Sequence, residues 1–349
     1  MINNSFFSTE ILRWFRENGR DLPWRETRDP YAIWLSEIIL QQTRIAQGWE
    51  YWERFMQTYP KVEDLAAASE DDVLKLWQGL GYYSRARNLH TAAKQIVALG
   101  AFPNTLEGIK SLKGVGDYTA AAIGSFAFDI PAAVVDGNVY RVLSRYFGID
   151  TPINSTQGKK EFAALAQSLL PASDAASYNQ GMMDFGAIQC TPQSPKCLLC
   201  PLAETCEALR CGRVEELPVK NKTVKVKTRH LSYIYIRCKS SAANGIGKSE
   251  PMVAIHRRGE GDIWQGLWEP YNVSDVKELP SFVKNPILLA KDVKHVLTHR
   301  ILLADFYLLE TESRPQLPDD YIWIRESEIE DYGVPRLIEI MLEKINPAE

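Results

Sequence analysis

The chain has 349 residues, enough for two domains of ordinary size. Its 45% hydrophobic and 24% charged content is that of a globular chain, and no apolar stretch reaches the ~18 residues that argue for a membrane-spanning helix. A formal net charge of -4 excludes a uniformly basic coat but leaves room for a local basic patch. The first residues, Met1 to Phe15, lack a basic region followed by an apolar run and a cleavage site. The expected setting is therefore the cytoplasm, on the nucleoid, or the nucleus in a eukaryote. There the six cysteines are expected to bind metal and not to pair.

Residues 1 to about 215 read as mostly helical. Tyr31 to Ala46 reads as one long apolar helix. Glu37 lies in its run Trp34-Leu35-Ser36-Glu37-Ile38-Ile39-Leu40, where poor solvation would raise a carboxyl pKa. The same spacing also fits an exposed stripe with Gln41 and Arg44. Ser69 to Gln78 and Ser84 to Leu99 are predicted helices, with Ser69 as N-cap. The loop Gly79-Leu80-Gly81-Tyr82-Tyr83 joins them. Leu112-Lys113-Gly114-Val115-Gly116 precedes a small-residue helix over 117–126. The glycines leave backbone N–H groups open to a phosphate at a helix N-terminus, with Lys113 beside them.

Asp136 ends an apolar run and starts a helix over 137–146. An aspartate N-cap is held ionised by the helix dipole. The chain thus offers one carboxyl suited to hold a proton and one suited to stay charged, the division that cleavage of an N-glycosidic bond requires. A further helix is predicted over 159–170.

Cys190, Cys197, Cys200 and Cys206 follow the spacing C-x6-C-x2-C-x5-C, which wraps one metal centre; spacing alone fits zinc and iron–sulfur equally. Cys211 and Cys238 are left over. Over 217–229 come Lys220, Lys222, Lys225, Lys227 and Arg229 with no acid, a solvated linker or a strap along a phosphate backbone. From His230 onward, strand patterns at 231–238, 251–256, 301–309 and 321–324 precede a last helix near 335–345, an α+β arrangement.

Several stretches together resemble the MutY family of adenine DNA glycosylases: Leu22-Pro23-Trp24-Arg25, Ser36 to Thr43, Gly79 to Leu89 and Val135 to Val142. The cysteine spacing is similar to the [4Fe–4S] loop of that family and of endonuclease III. The resemblance implies an all-α helix–hairpin–helix glycosylase domain over 1–215 with one [4Fe–4S] cluster, a basic linker over 216–229, and a Nudix-like domain over 230–349. The implied partner is double-stranded DNA holding 8-oxoguanine:adenine or guanine:adenine mispairs, bound by a monomer. By resemblance, Glu37 is the general acid at adenine N7 and Asp136 stabilises the oxocarbenium or forms a covalent sugar intermediate. Asn138 and Tyr118 support them, and Leu22, Trp24, Arg25 and Gln180 form the adenine pocket. Gln42 and Tyr82 fill the stack when adenine is flipped.

The bifunctional endonuclease III branch has a lysine where this chain has Tyr118, so base removal without strand cleavage is expected. Lys113 stands where the family usually has proline. A working Nudix motif is missing around 261–272, so the second domain is expected to recognise and not to hydrolyse. Leu297, Thr298 and His299 match the family's Phe-Ser-His turn that reads the oxidised guanine; Leu297 lacks the aromatic ring. The competing readings are a glycosylase/lyase for another damaged base and a catalytically silent DNA-damage sensor.

Overall fold

The computed structural model describes residues 4–221, 226–239, 250–274 and 279–346; Lys222 and Lys225 of the basic run lie outside these. In chain order the helices are α1 (Asn4–Asn18), α2 (Pro30–Ile39), α3 (Ile45–Thr58), α4 (Val62–Ala67), α5 (Glu70–Trp77), α6 (Ser84–Leu99) and α7 (Leu106–Lys110). They continue with α8 (Asp117–Phe128), α9 (Gly137–Phe147), α10 (Thr156–Leu169), α11 (Ala175–Asp184) and α12 (Glu207–Arg210). The strands are β1 (Lys227–Cys238), β2 (Met252–Arg257), β3 (Trp268–Glu269), β4 (Tyr271–Ser274), β5 (Ile287–Val296), β6 (Arg300–Thr311) and β7 (Tyr321–Arg325), and α13 (Arg336–Ile345) ends the chain's described part.

By contacts the chain forms two compact units, Met1–Ala67 with Thr91–Lys222, and Ala68–His90 with Thr223–Glu349. The sequence suggests a single boundary between 215 and 230. The structure instead groups α5 and the start of α6 with the C-terminal strands.

In the first unit, α2 is the central helix. Asp29 caps it by accepting from the Tyr31 N–H, Pro30 opens it, and every residue from Tyr31 to Ile39 is buried. The expected helix from Tyr31 to Ala46 is broken here, because the chain turns at Gln42 (φ 58) before α3 begins. Gly48 shows why the pattern misled. A Cβ there would lie 2.6 Å from Leu40 Cδ2, so α3 folds back tightly on the end of α2. Continuous hydrophobicity reported burial on two helices, not one.

Helix α9 buries Val139, Val142, Leu143 and Tyr146 against Phe7, Ile11 and Phe162 of the first unit. Those positions recur at helical spacing, the stripe that faces a core. Gly148, at φ 71, ends the helix in the left-handed conformation.

The second unit carries a seven-stranded sheet with the path β3-β2-β1-β6-β5; β4 also pairs with β1, and β7 with β2. β1 and β6 run parallel from Lys227↔Arg300 to Cys238↔Thr311, while the other pairs are antiparallel. Leu231, Tyr233 and Tyr235 pack on one face with Leu337, Ile338 and Met341 of α13. Ile234 and Ile236 pack on the other face with Ala254 and Leu309. β1 is covered on both faces, which is why its sequence alternates only in part. β5 carries Lys291, Asp292 and Lys294 and two register shifts against β6, so its sequence shows no strand signal. Arg229 of the basic run is committed to Asp262 at 2.7 Å, an internal ion pair and not a strap.

Candidate active site and iron–sulfur loop

Leu22, Trp24, Arg25, Glu37, Gln42, Tyr118, Asp136, Asn138 and Gln180 line one cleft of about 1010 Å³ in the first unit. Residues spread over more than 150 positions of sequence thus meet in one place.

Glu37 is buried at 8% exposure on α2, so it does not belong to the exposed stripe that its local spacing also allows. Burial raises its pKa to about 7; a hydrogen bond from Tyr118 opposes the rise, and the Asp136 carboxyl adds to it. The Tyr118 hydroxyl donates to Glu37 Oε2 at 2.9 Å. Burial and the two nearby carboxyls push the phenol well up, so it stays a donor.

Asp136 caps α9. Its Oδ1 accepts from the N–H groups of Asn138 (2.9 Å) and Val139 (2.8 Å), and its Oδ2 from Asn138 Nδ2 (2.8 Å). The sequence predicts a carboxylate simply held ionised at a helix start. Burial corrects this by raising the Asp136 pKa, against the three N–H bonds and Arg141. The two acids still differ in kind. Glu37 faces one hydroxyl donor, whereas Asp136 is held by three amide donors that favour its charged form.

The pocket wall has a brace that the sequence reading missed. The Arg25 guanidinium binds both oxygens of Asp184 at 2.8 Å, and Arg20 binds the same carboxylate. Asp184 is fully buried; burial alone would raise its pKa, but the bonds from Arg25 and Arg20 leave it lowered. Arg25 therefore shapes the wall, with its fork committed to Asp184. Trp24 packs edge-on against Trp49 and Trp52, with centroids 5.9 and 5.7 Å apart. Asp184 sits alone at the end of α11, and nothing in its sequence context signals the pairing.

A second missed pair sits on α9. Arg141 donates to Asn138 Oδ1 (2.9 Å) and to the Cys190 carbonyl (2.7 Å). Arg145, one turn on, donates to Cys190 Sγ at 3.4 Å and to the carbonyls of Thr191 and Pro192. Their i, i+4 spacing was the available signal.

Cys190, Cys197, Cys200 and Cys206 line one small cavity with Arg145. Cys211 lies outside it, exposed, with its thiol 3.3 Å from Glu207 Oε1. As bare thiols, Cys197 and Cys206 are pushed up by burial and Cys200 up to about 12, with neighbouring thiolates adding repulsion. A positively charged iron core removes that penalty, so the donor set fits the group.

The hairpin 112–117 is built as expected around Gly114 (φ 79), and Gly116 faces open space before α8. Lys113 is exposed. Val115 is a correction, because its side chain is buried and its N–H donates to Leu112. In the second unit, Leu297, Thr298 and His299 form the β5–β6 turn. Leu297 is half-buried and packs on the sheet core, whereas Thr298 and His299 are exposed. The Thr298 hydroxyl lies 2.5 Å from that of Tyr82.

Residues 35–171 match the HhH-GPD superfamily of base excision DNA repair proteins, 190–206 the iron-sulfur binding domain of endonuclease III, and 245–344 the NUDIX domain. An adenine DNA glycosylase of Buchnera aphidicola (subspecies Schizaphis graminum) is 30% identical over 97% of this chain and 98% of its own length. Another, from the Acyrthosiphon pisum subspecies, is 36% identical over 75% of this chain and 73% of its own. The chain belongs to the adenine DNA glycosylase family. It is therefore a DNA glycosylase of the hydrolase class that carries an iron–sulfur binding loop. The mouse adenine DNA glycosylase is 43% identical over 61% of this chain, a span that covers 44% of the mouse protein. Among solved structures, a thermostable thymine-DNA glycosylase matches 60% of the chain at 34% identity with a TM-score of 0.56. A structure of endonuclease III with DNA, at 23% identity and a TM-score of 0.53, shares the helical fold. Among the described residues no helix is long and apolar enough to cross a membrane.

Proposed function

We propose that this glycosylase hydrolyses the N-glycosidic bond of adenine in duplex DNA where adenine stands opposite 8-oxoguanine or guanine, and then stops. The observation that carries the reading is the pair of carboxyls in one cleft, the buried Glu37 bonded to Tyr118 and the half-buried Asp136 held by three N–H donors. With a pKa raised to about 7, Glu37 holds a proton near neutrality. It gives that proton to N7 of adenine as the C1′–N9 bond breaks and the base leaves with the bonding electrons. Asp136 stabilises the cationic sugar, electrostatically or by a transient bond to C1′. Water adds to C1′ and loses its proton, which leaves an abasic site.

Adenine must leave the stack to reach the cleft. Gln42 and Tyr82 support that reading, since both are exposed non-glycine residues held at positive φ, 58 and 47. Lys113, Gly114 and Gly116 offer a backbone approach for a phosphate. The four cysteines would hold one [4Fe–4S] cluster, which would tie their loop together. Thr298 is the candidate reader of the opposite base, because its hydroxyl can bond to the N7–H or O8 that oxidation adds to guanine.

The test is a labelled duplex with one 8-oxoguanine:adenine pair, beside a guanine:adenine duplex, each with and without alkali. Faster excision from the first is expected, with strand breakage only after alkali. Breakage without alkali, with borohydride trapping through a lysine, would overturn the monofunctional reading. Excision of some other base in place of adenine would overturn the substrate.

A further inference from the structure

Helix α5 and the Tyr82 turn precede the C-terminal unit by more than 130 positions, yet they belong to it. We infer that Arg87 and Arg257 are positioning residues that clamp the Tyr82 turn to the Nudix-like sheet, so that the wedge and the opposite-base reader move as one body. The inference rests on the reading of Tyr82 and Thr298 given above.

The clamp has three points. Arg257, at the end of β2, donates to Glu70 Oε1 (2.9 Å) and pairs with Asp71 (3.0 Å) at the start of α5. Arg87, in the first turn of α6, donates to the carbonyl (2.6 Å) and the side-chain oxygen (3.2 Å) of Gln265. Gln78, at the end of α5, bonds Glu339 and accepts from the Val334 N–H at 3.3 Å. Two glycines let the backbones meet. A Cβ on Gly266 would lie 3.0 Å from Leu74 Cδ1, and one on Gly333 3.4 Å from the Lys75 nitrogen.

Between these anchors the turn is braced from within. Trp77 Nε1 donates to the Gly81 carbonyl at 3.0 Å, and Arg85 lies 5.1 Å from the Trp77 ring and 5.5 Å from the Tyr82 ring. The turn cannot swing without moving its anchors, and the Tyr82–Thr298 bond closes the ring between wedge and reader. A base detected at Thr298 then bears directly on where Tyr82 stands. A wedge tied only to its neighbours in sequence would lack that coupling.

The experiment uses the full chain with its cluster, as Arg87→Ala and as Arg257→Ala. Hydrogen exchange followed by mass spectrometry reads the clamp without DNA. Single-turnover excision from 8-oxoguanine:adenine and guanine:adenine duplexes reads its consequence. For both variants, exchange across residues 68–90 should rise at least ten-fold while α2, α8 and β6 stay protected. The ratio of the two excision rates should fall at least five-fold, and adding Thr298→Ala to Arg87→Ala should lower it little further. Unchanged exchange across 68–90 would overturn the clamp. So would faster exchange with an unchanged rate ratio, or a Thr298→Ala effect that is fully additive. A wild type that treats both duplexes alike would sink the base-reading proposal instead, and the exchange data would then decide the clamp alone.

Discussion

Glu37 is buried and Asp136 half-buried, and desolvation raises both, yet their partners differ. Ionising Glu37 in the folded protein is unfavourable, because its pKa rises from 4.5 to about 7. At about 1.4 kcal/mol per pH unit, the charged form destabilises the fold by about 3 kcal/mol. The folded state binds this proton more tightly than the unfolded state, so stability falls as pH rises from about 4.5 to about 7, and the loss is complete above that window. Glu37→Gln should therefore be inactive but melt higher than wild type at pH 8, with the difference vanishing near pH 4; thermal melts at the two values decide this. The protonated form is the acid, so the single-turnover excision rate of wild type should fall as pH rises through about 7. A rate that keeps rising to pH 9 would remove Glu37 as proton donor. Asp136→Asn should keep duplex binding and lose excision by at least two decades, the scale of one preorganised electrostatic group. Near-normal excision beside a binding titration would take Asp136 out of the chemistry. Asp136 was legible as an N-cap, while the burial of Glu37 was not, because Gln41 and Arg44 made its stripe look wet.

Helix α9 is the element that joins the two halves of the candidate site. Its first turn carries Asp136 and Asn138, and its next two turns carry Arg141 and Arg145 to the cysteine loop. The turn after α11 presses on its start. A Cβ on Gly186 would lie 2.6 Å from Asn138 Cβ and 3.0 Å from its Cα. Gly186→Ala should therefore push Asn138 away from Asp136. Overpacking of this kind costs about 1–3 kcal/mol, and a small misplacement at the chemistry costs about two decades of rate. Excision by at least ten-fold slower kinetics, with the iron–sulfur absorbance intact, is the expected result; wild-type kinetics would show that this contact relaxes freely. At this scale the sequence was readable where caps mark the ends, as at Ser69 and Asp136. It was not readable where two helices share one apolar run, as at 31–46, or where bulges and lysines disguise an edge strand, as at β5. The contact at Gly186 left no trace, because a glycine does not announce what it touches.

The division of the whole molecule was the least legible feature. Composition changes after Cys211, so a boundary near 215–230 is the natural reading. What α5 packs against depends on Gly266 and Gly333, which no local pattern links to residues 70–77. A chain ending at Asn221 therefore separates two predictions. If the helical half were one self-contained domain, truncation would leave α5 protected. The structure says that Leu74, now 1% exposed, would lose the surface formed by Gly266 and Gly333. Uncovering that side chain alone costs about 1.5–3 kcal/mol. Glu70, Asp71, Gln78 and Arg87 would lose their bonds to Arg257, Val334 and Gln265 as well. The truncated chain should hence exchange its 68–90 amides at least ten-fold faster than the full chain, while α2, α8 and α9 keep their protection. It should also bind an apolar dye, because α5 turns its inner face to water. Wild-type exchange across 68–90 in the truncated chain would show that α5 is held by the first unit, and the Tyr82 turn would then answer to the cleft and not to the sheet.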